Sequence, residues 1–125
     1  MKKAVAATIS ARFMRWGGVA LLFFLAFHLL QFTTNTIRAN GDYPSAYQRV
    51  VAGFQVWWVV LIYVLAMVAL GMHLRHGIWS AAQTLGWTSS ARARGTANTL
   101  AIIVATVVVV GFLLPPVSIL IGFVK

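Results

Sequence analysis

The chain has 125 residues, of which 61% are hydrophobic and only 9% charged, whereas a soluble globular domain carries about a quarter charged residues; a soluble enzyme is therefore excluded. Ten Lys and Arg against a single acidic residue, Asp42, give a formal charge of +9, but apolar runs separate these charges, which indicates a membrane protein with basic edges rather than a nucleic-acid-binding patch. The absence of cysteine excludes disulfides, thiolate metal sites and cysteine nucleophiles, and a single carboxylate argues against paired-carboxylate chemistry and a Ser-His-Asp triad.

Three segments are apolar enough and long enough to cross a bilayer as helices, which takes about 20 residues. They cover residues 15–37, 54–85 and 97–124. We therefore predict an all-α transmembrane bundle in which residues 1–125 form one membrane domain. The first segment is predicted to be retained rather than cleaved as a signal peptide, because Arg12 and Arg15 precede it and no small-residue cleavage pattern follows Leu30.

The connections and the third span have distinct compositions. Residues 38–53 contain the turn formers Asn40, Gly41, Asp42 and Pro44 and are predicted to form a short connection. Residues 86–96 are rich in Ser, Thr, Gly and Arg. The third span consists mainly of Ala, Ile, Val and Leu, so we assign it a packing role, and we expect the consecutive prolines at 115 and 116 to kink it.

Basic residues predict the orientation of the bundle. Six lie on the side of the N-terminus and the second connection, and three on the other side. The first group is Lys2, Lys3, Arg12, Arg15, Arg92 and Arg94, and the second is Arg38, Arg49 and Lys125. This imbalance predicts a cytoplasmic N-terminus.

Two histidines inside the predicted spans are candidate functional residues, because ionisable side chains within a membrane are rare and are most often functional. His28 lies 13 residues after Arg15, which is about 20 Å along a helix, and His73 lies late in the second span. Neither has a carboxylate partner, so a neutral imidazole that binds a metal is favoured, and apolar surroundings favour haem iron over zinc or copper. The structural alternative is a histidine that hydrogen-bonds a neighbouring helix.

The residues around His73 add detail to this hypothesis. His76 shares a helix face with His73, and Gly77 lies one turn after His73, where a small residue leaves room for a flat macrocycle. Arg15 and Arg75 are candidates to bind the propionates of that macrocycle, or else they extend to the lipid headgroups.

Three sequence strings resemble the cytochrome b subunit of succinate dehydrogenase and fumarate reductase. They are SARFMRWGG from Ser10, HLLQFT from His28 and, above all, HLRHGIWSAAQTLG from His73. The similarity extends from Ser10 to Gly122 and is to the last three helices of the five-helix dihaem form found in bacteria that use menaquinone. Two preceding helices of that form have no counterpart in this sequence.

The resemblance implies the roles of individual residues. His28 would bind a distal haem b and His73 a proximal haem b, with the second ligand of each iron supplied by missing helices or another membrane chain. In a three-helix form of the family, one haem is instead shared with a second subunit. His73 is preferred over His76, because only one of them faces the iron; the other would serve a propionate, a backbone carbonyl or a quinone.

The resemblance also implies a function. The chain would be the membrane anchor of a succinate:quinone oxidoreductase in the bacterial inner membrane, where it would conduct electrons between an iron–sulfur subunit and quinone. The resemblance implies menaquinone as that quinone. FAD and the iron–sulfur clusters would belong to partner subunits. Candidate quinone-binding residues at the cytoplasmic boundary are Ser10, Arg12, Arg15, Trp16, Ser80 and Gln83. The alternative is a haem-free structural subunit, or a small membrane protein whose histidines relay protons.

Overall fold

The structure is a computed structural model that describes residues 2–38 and 41–125. Within these ranges the chain forms helices and no strands, and three helices are long and apolar enough to cross a membrane, which confirms the predicted fold class. The elements are α1 (Lys2–His28), a π-helical segment (Leu29–Thr33), α2 (Ala46–Phe54), α3 (Trp57–Thr84) and α4 (Ala91–Leu120). The predicted turn residue Asn40 lies outside the described residues.

The first span ends before the predicted residue 37. Its apolar stretch covers Thr8–Thr33, and the π-helical segment closes with a hydrogen bond from Thr34 N–H to the Leu29 carbonyl of 3.0 Å. Asn35 then adopts a φ of 55°, a left-handed conformation that Asn tolerates and that stops a helix. The polar run that follows Phe32 therefore ends the helix earlier than hydropathy suggested.

The connection between the first two spans contains a helix that the sequence analysis did not predict. The last residues of α2, from Val51 to Phe54, are buried. Arg49 ties this helix to the end of the first span, since its guanidinium donates to the carbonyl oxygens of Phe32 at 3.3 Å and Thr33 at 3.4 Å. These two bonds satisfy carbonyls that the end of a helix leaves unpaired.

The central helix of the bundle is α3, which packs against both α1 and α4, whereas the described backbones of α1 and α4 do not approach each other. Gly71 allows α3 and α4 to lie close together, because a Cβ at this position would be 2.9 Å from Val109 Cγ2. At its C-terminus α3 is followed by Gly86 with a φ of 77°, and the Trp87 N–H bonds back to the Ala82 carbonyl at 2.9 Å.

Helix α4 begins at an N-cap, where Ser90 Oγ accepts from the Ala93 N–H at 3.1 Å. It continues through Pro115 and Pro116, and Pro116 is fully buried. The expected kink at these prolines remains a prediction.

Contacts between distant residues define the two ends of the bundle. Ser10 and Arg94 line one pocket at the amino-terminal end, and Tyr47 donates to the Lys125 carbonyl at 3.0 Å at the opposite end.

Candidate functional site

Two contacts between α1 and α3 define the levels of the two histidines. His28 Nδ1 lies 2.9 Å from the Tyr63 hydroxyl, and a Cβ at Gly18 would lie 3.5 Å from His73 Cε1. Gly18 precedes His28 by ten residues and His73 follows Tyr63 by ten residues, so one antiparallel register joins both contacts. Ten residues of helix rise about 15 Å, so His28 and His73 occupy two different depths.

His28 belongs to a hydrogen-bonded group of three side chains. The Tyr63 hydroxyl donates to Gln31 Oε1 at 3.2 Å and lies 2.9 Å from His28 Nδ1. Gln31 is buried, with 3% of its surface exposed. The π-helical segment that starts directly after His28 carries Gln31, and single π-helical turns are frequent at functional sites.

Aromatic rings surround this group. Phe24 and Phe54 pack edge-on against the Tyr63 ring, with centroid distances of 4.9 and 4.8 Å. Phe32 packs against His28 at 5.7 Å in the same manner. The edge of one ring is electropositive and the face of the next electronegative, so these contacts hold the His28 and Tyr63 rings in fixed orientations.

An apolar cavity of about 510 Å³ opens beside His28. Side chains of α1, α2, α3 and α4 line it, and nearly all of them are aliphatic or aromatic: Leu21, Phe24, Leu25, Phe32, Val50, Phe54, Met67, Leu70, Phe112, Pro115 and Pro116, with His28 and Tyr63 as the polar members. This volume lies in the range of small-molecule and cofactor sites, which combine apolar walls with a few polar groups.

His73 is half-buried, and its Nδ1 is a buried nitrogen without a hydrogen-bond partner among the described residues. Such groups are uncommon in folded proteins, so this nitrogen indicates a bonding partner beyond the described residues. One turn further on, a Cβ at Gly77 would meet nothing within 4 Å. The predicted open space beside His73 is therefore present.

His76 lies in a different environment. It is exposed and lines a basic cavity of about 780 Å³ at the amino-terminal end, together with Ser10, Phe13, Met14, Met72, Arg75, Trp79, Arg94, Gly95 and Asn98. Arg75 donates to Asn98 Oδ1 at 3.1 Å within this cavity. The structure thus separates His73, which faces α1 at Gly18, from His76, which faces the basic cavity.

The two cavities open on opposite faces of α3. Tyr63 lines the apolar cavity and Met72 the basic cavity, and nine residues separate them, which is two and a half helical turns. Because α1 lines both cavities, it must cross α3 between them, in the region of Gly18.

Of the six predicted quinone-binding residues, one lines a cavity at the amino-terminal end. Ser10 lines the basic cavity beside His76 and Trp79. Arg12, Arg15, Trp16, Ser80 and Gln83 are exposed at the same end of the bundle and are not among the residues that line this cavity. Within the described residues, no cluster of three or more His, Asp or Glu side chains is placed to hold a metal ion.

Comparison with known protein families decides the class of this membrane bundle. The chain matches the model of the succinate dehydrogenase/fumarate reductase transmembrane subunit over residues 1–114. The chain belongs to this family. The predicted resemblance is thereby confirmed, and the chain is a membrane subunit that forms part of an enzyme complex. A comparison with curated proteins and one with solved structures gave no match.

Sequence analysis of this family member missed two residues of the site, Tyr63 and Gln31. Gln31 lies three residues after His28, so the two share a helix face, and Tyr63 is the single tyrosine of α3. The sequence signal for these two residues was a polar side chain within an apolar span, Gln31 in the first span and Tyr63 in the second. The contact between Gln31 and Tyr63 joins positions 32 residues apart, which periodicity alone cannot reveal.

Proposed function

We propose that this subunit carries haem b at two depths, with His28 and His73 as axial ligands, and that it conducts electrons between an iron–sulfur subunit and a membrane quinone. The observation that supports this most strongly is the placement of two histidines at depths about 15 Å apart by helical rise. A single iron cannot be bound by both. Each histidine therefore serves its own site.

The residues present fit a haem at each depth. His28 lies in an apolar cavity of about 510 Å³, and its Nδ1 is engaged by Tyr63, so Nε2 is the nitrogen available to a metal. His73 combines a partnerless buried Nδ1 with open space at Gly77. Haem b, when bound, supplies a one-electron carrier, and the chain's own side chains bind it, orient it and exclude water from it.

The second ligand of each iron comes from outside the described helices. His28 and His73 lie at different depths, so each supplies one histidine to its site, whereas bis-histidine haem needs two. Helix α1 has room for a neighbour, since none of its most apolar stretch is buried within the chain. We assign the missing ligands to further membrane helices. The sequence has no cysteine to bind an iron–sulfur cluster, and we assign the clusters and FAD to the partner subunits that the family implies.

The amino-terminal end of the bundle is the side we assign to the cytoplasm of a bacterial inner membrane. Nine of the ten basic residues lie near one end of the bundle or the other, Arg75 being inside the second span, and six of the nine lie at the amino-terminal end, as the positive-inside rule requires. The iron–sulfur partner would dock at this end. The basic cavity at the same end holds a hydroxyl on Ser10 and an imidazole on His76, both able to hydrogen-bond a quinone carbonyl. Arg12, Arg15, Trp16, Ser80 and Gln83 are exposed at the same end of the bundle.

His73 is preferred over His76 as the proximal ligand on the geometry of α3. His73 faces α1 inside the bundle, whereas His76 is exposed and shares the basic cavity with Arg75. We therefore assign His76 to the quinone or to a propionate. Arg75 and Arg15 remain propionate candidates, and Arg75 is held towards α4 by Asn98.

A haem-free, proton-relaying subunit is the second candidate. The observation in its favour is the hydrogen-bonded chain from His28 through Tyr63 to Gln31. This chain is short, however, and α3 residues such as Ala66, Met67 and Leu70 separate its depth from that of His73. A relay through this membrane subunit would need a polar path between the two depths.

The test is purification of the tagged subunit from its native membrane with its partners. We expect dehydrogenase subunits to copurify and the reduced spectrum to show b-type haem bands that appear on addition of succinate. A colourless complex with the same partners would contradict the haem proposal and favour the haem-free alternative. If the tagged subunit purifies without any dehydrogenase subunit, the proposed electron path is contradicted.

A further inference from the structure

A network of three side chains beside the apolar cavity orients the His28 ring. The Tyr63 hydroxyl carries one proton and lies within hydrogen-bond distance of two acceptor candidates, Gln31 Oε1 at 3.2 Å and His28 Nδ1 at 2.9 Å. An amide oxygen can only accept. Both contacts are hydrogen bonds only if the Tyr63 proton goes to Gln31 Oε1 and the Tyr63 oxygen accepts from His28 Nδ1–H.

This order fixes the tautomer of the imidazole. Since Tyr63 accepts from His28 Nδ1–H, the neutral ring carries its free lone pair on Nε2. A metal binds that lone pair, and the hydrogen bond at the other nitrogen fixes the ring orientation and strengthens the imidazole as a donor. If Tyr63 donated to Nδ1 instead, Nε2 would carry the proton and could not bind a metal.

We infer that Tyr63 is a positioning residue that, with Gln31, holds His28 in the tautomer whose Nε2 is free to bind haem iron. The inference rests on the proposed function at His28 and extends it to two residues that do not touch the iron. The surrounding structure supports a dedicated role: Tyr63 and Gln31 are both buried, and the edge-on packing of Phe24 and Phe54 holds the Tyr63 ring in place.

The first test is Tyr63→Phe in the purified complex, because phenylalanine keeps the ring packing and removes only the hydroxyl. Loss of the hydrogen-bond acceptor weakens the imidazole as a donor to ferric iron. We expect the midpoint potential of one b-type component to rise, its electron paramagnetic resonance signal to change, and its haem to be retained about 10- to 100-fold less tightly. The other component should keep its potential.

Gln31→Met is the second variant, and it decides the question if Tyr63→Phe does not assemble. Without the amide oxygen, the Tyr63 hydroxyl loses its own acceptor and accepts less strongly from His28 Nδ1–H, so the same component should shift in the same direction. Tyr47→Phe is the control, since that hydroxyl donates to the Lys125 carbonyl away from the cavity, and both components should keep their potentials.

Two outcomes separate this inference from the function on which it rests. A wild-type complex without b-type haem would overturn the proposed function and the inference together. A wild-type complex with haem, in which neither Tyr63→Phe nor Gln31→Met shifts a potential, would overturn the inference alone.

Discussion

Gly53 is the position where the smallest change in the chain should disturb the site around His28. A Cβ at Gly53 would lie 2.9 Å from Phe32 Cε1 and 3.2 Å from Gln31 Nε2. Carbon atoms in ordinary contact are about 3.5–4.0 Å apart. Gly53→Ala therefore requires the Phe32 ring to move by roughly 0.6–1 Å, and this ring packs against His28, Tyr63 and Phe54.

The expected cost follows from overpacking. Inserting a methyl group into a packed core costs about 1–3 kcal/mol, while replacing glycine by alanine within a helix returns up to about 1 kcal/mol. We expect Gly53→Ala to destabilise the subunit by about 1–2 kcal/mol in net terms. The displaced ring should also alter the spectrum of the haem at His28.

The assay is thermal unfolding of the purified complex in detergent, followed by circular dichroism and by the visible spectrum. Gly17→Ala is the matched control, because a Cβ at Gly17 in α1 meets nothing within 4 Å, and it should be neutral or slightly stabilising. If Gly53→Ala unfolds at the wild-type temperature with an unchanged spectrum, the packing of α2 against the π-helical segment described above is refuted.

Three further predictions concern the open space at Gly77, the charge at Arg15 and the orientation of the bundle. A Cβ at Gly77 meets no atom within 4 Å, so Gly77→Leu should fold but should lower the b-type haem content. Gly111→Leu on α4, where a Cβ is also unobstructed, should leave the content unchanged, and equal haem in both variants would refute the macrocycle at Gly77. Arg15→Lys should preserve membrane insertion, haem content and succinate oxidation by a soluble acceptor, but it should lower quinone reduction because lysine lacks the planar set of donors. Arg92→Lys is the control and should have no effect. Unchanged quinone turnover in Arg15→Lys would leave this arginine with a topological role only. The chain lacks cysteine, so single introduced cysteines can report on the orientation. Thr36→Cys in intact cells should react with a membrane-impermeant thiol reagent, and Ser89→Cys should react only after permeabilisation. The reverse pattern would refute a cytoplasmic amino-terminal end.

The long apolar helices could be predicted from the sequence because hydropathy alone determines them. The second span, predicted over residues 54–85, is Trp57–Thr84 in the structure, since Gly86 and the polar residues that follow stop a uniformly apolar run. The depth of His28 relative to His73 was also accessible, because helical rise converts sequence separation into distance.

The shorter and less regular elements could not be predicted in this way. Helix α2 has nine residues and mixes Tyr, Gln and Arg with apolar residues, so it is hidden in a segment whose neighbouring residues favour turns. The π-helical segment depends on a change in backbone hydrogen bonding that hydropathy does not encode. Its effect is to place Gln31 in the core next to Gly53.

The residues of the candidate site also differ in whether the sequence alone predicts them. Both histidines were identified from the cost of an ionisable group in an apolar span. Their supporting residues depend on pairing between helices, as in the contact between His28 and Tyr63. The separation of His76 from His73 likewise follows from the crossing of α1 over α3, which sequence spacing does not determine.

The measurement that tests the central claim most directly is the low-temperature reduced spectrum of the complex carrying His28→Ala or His73→Ala. Two haems at two depths predict that each variant loses a different b-type component and keeps the other, and that His76→Ala keeps both. A single component that disappears equally in both variants, or a loss in His76→Ala with full haem in His73→Ala, would contradict the assignment of His28 and His73 as ligands of separate haems.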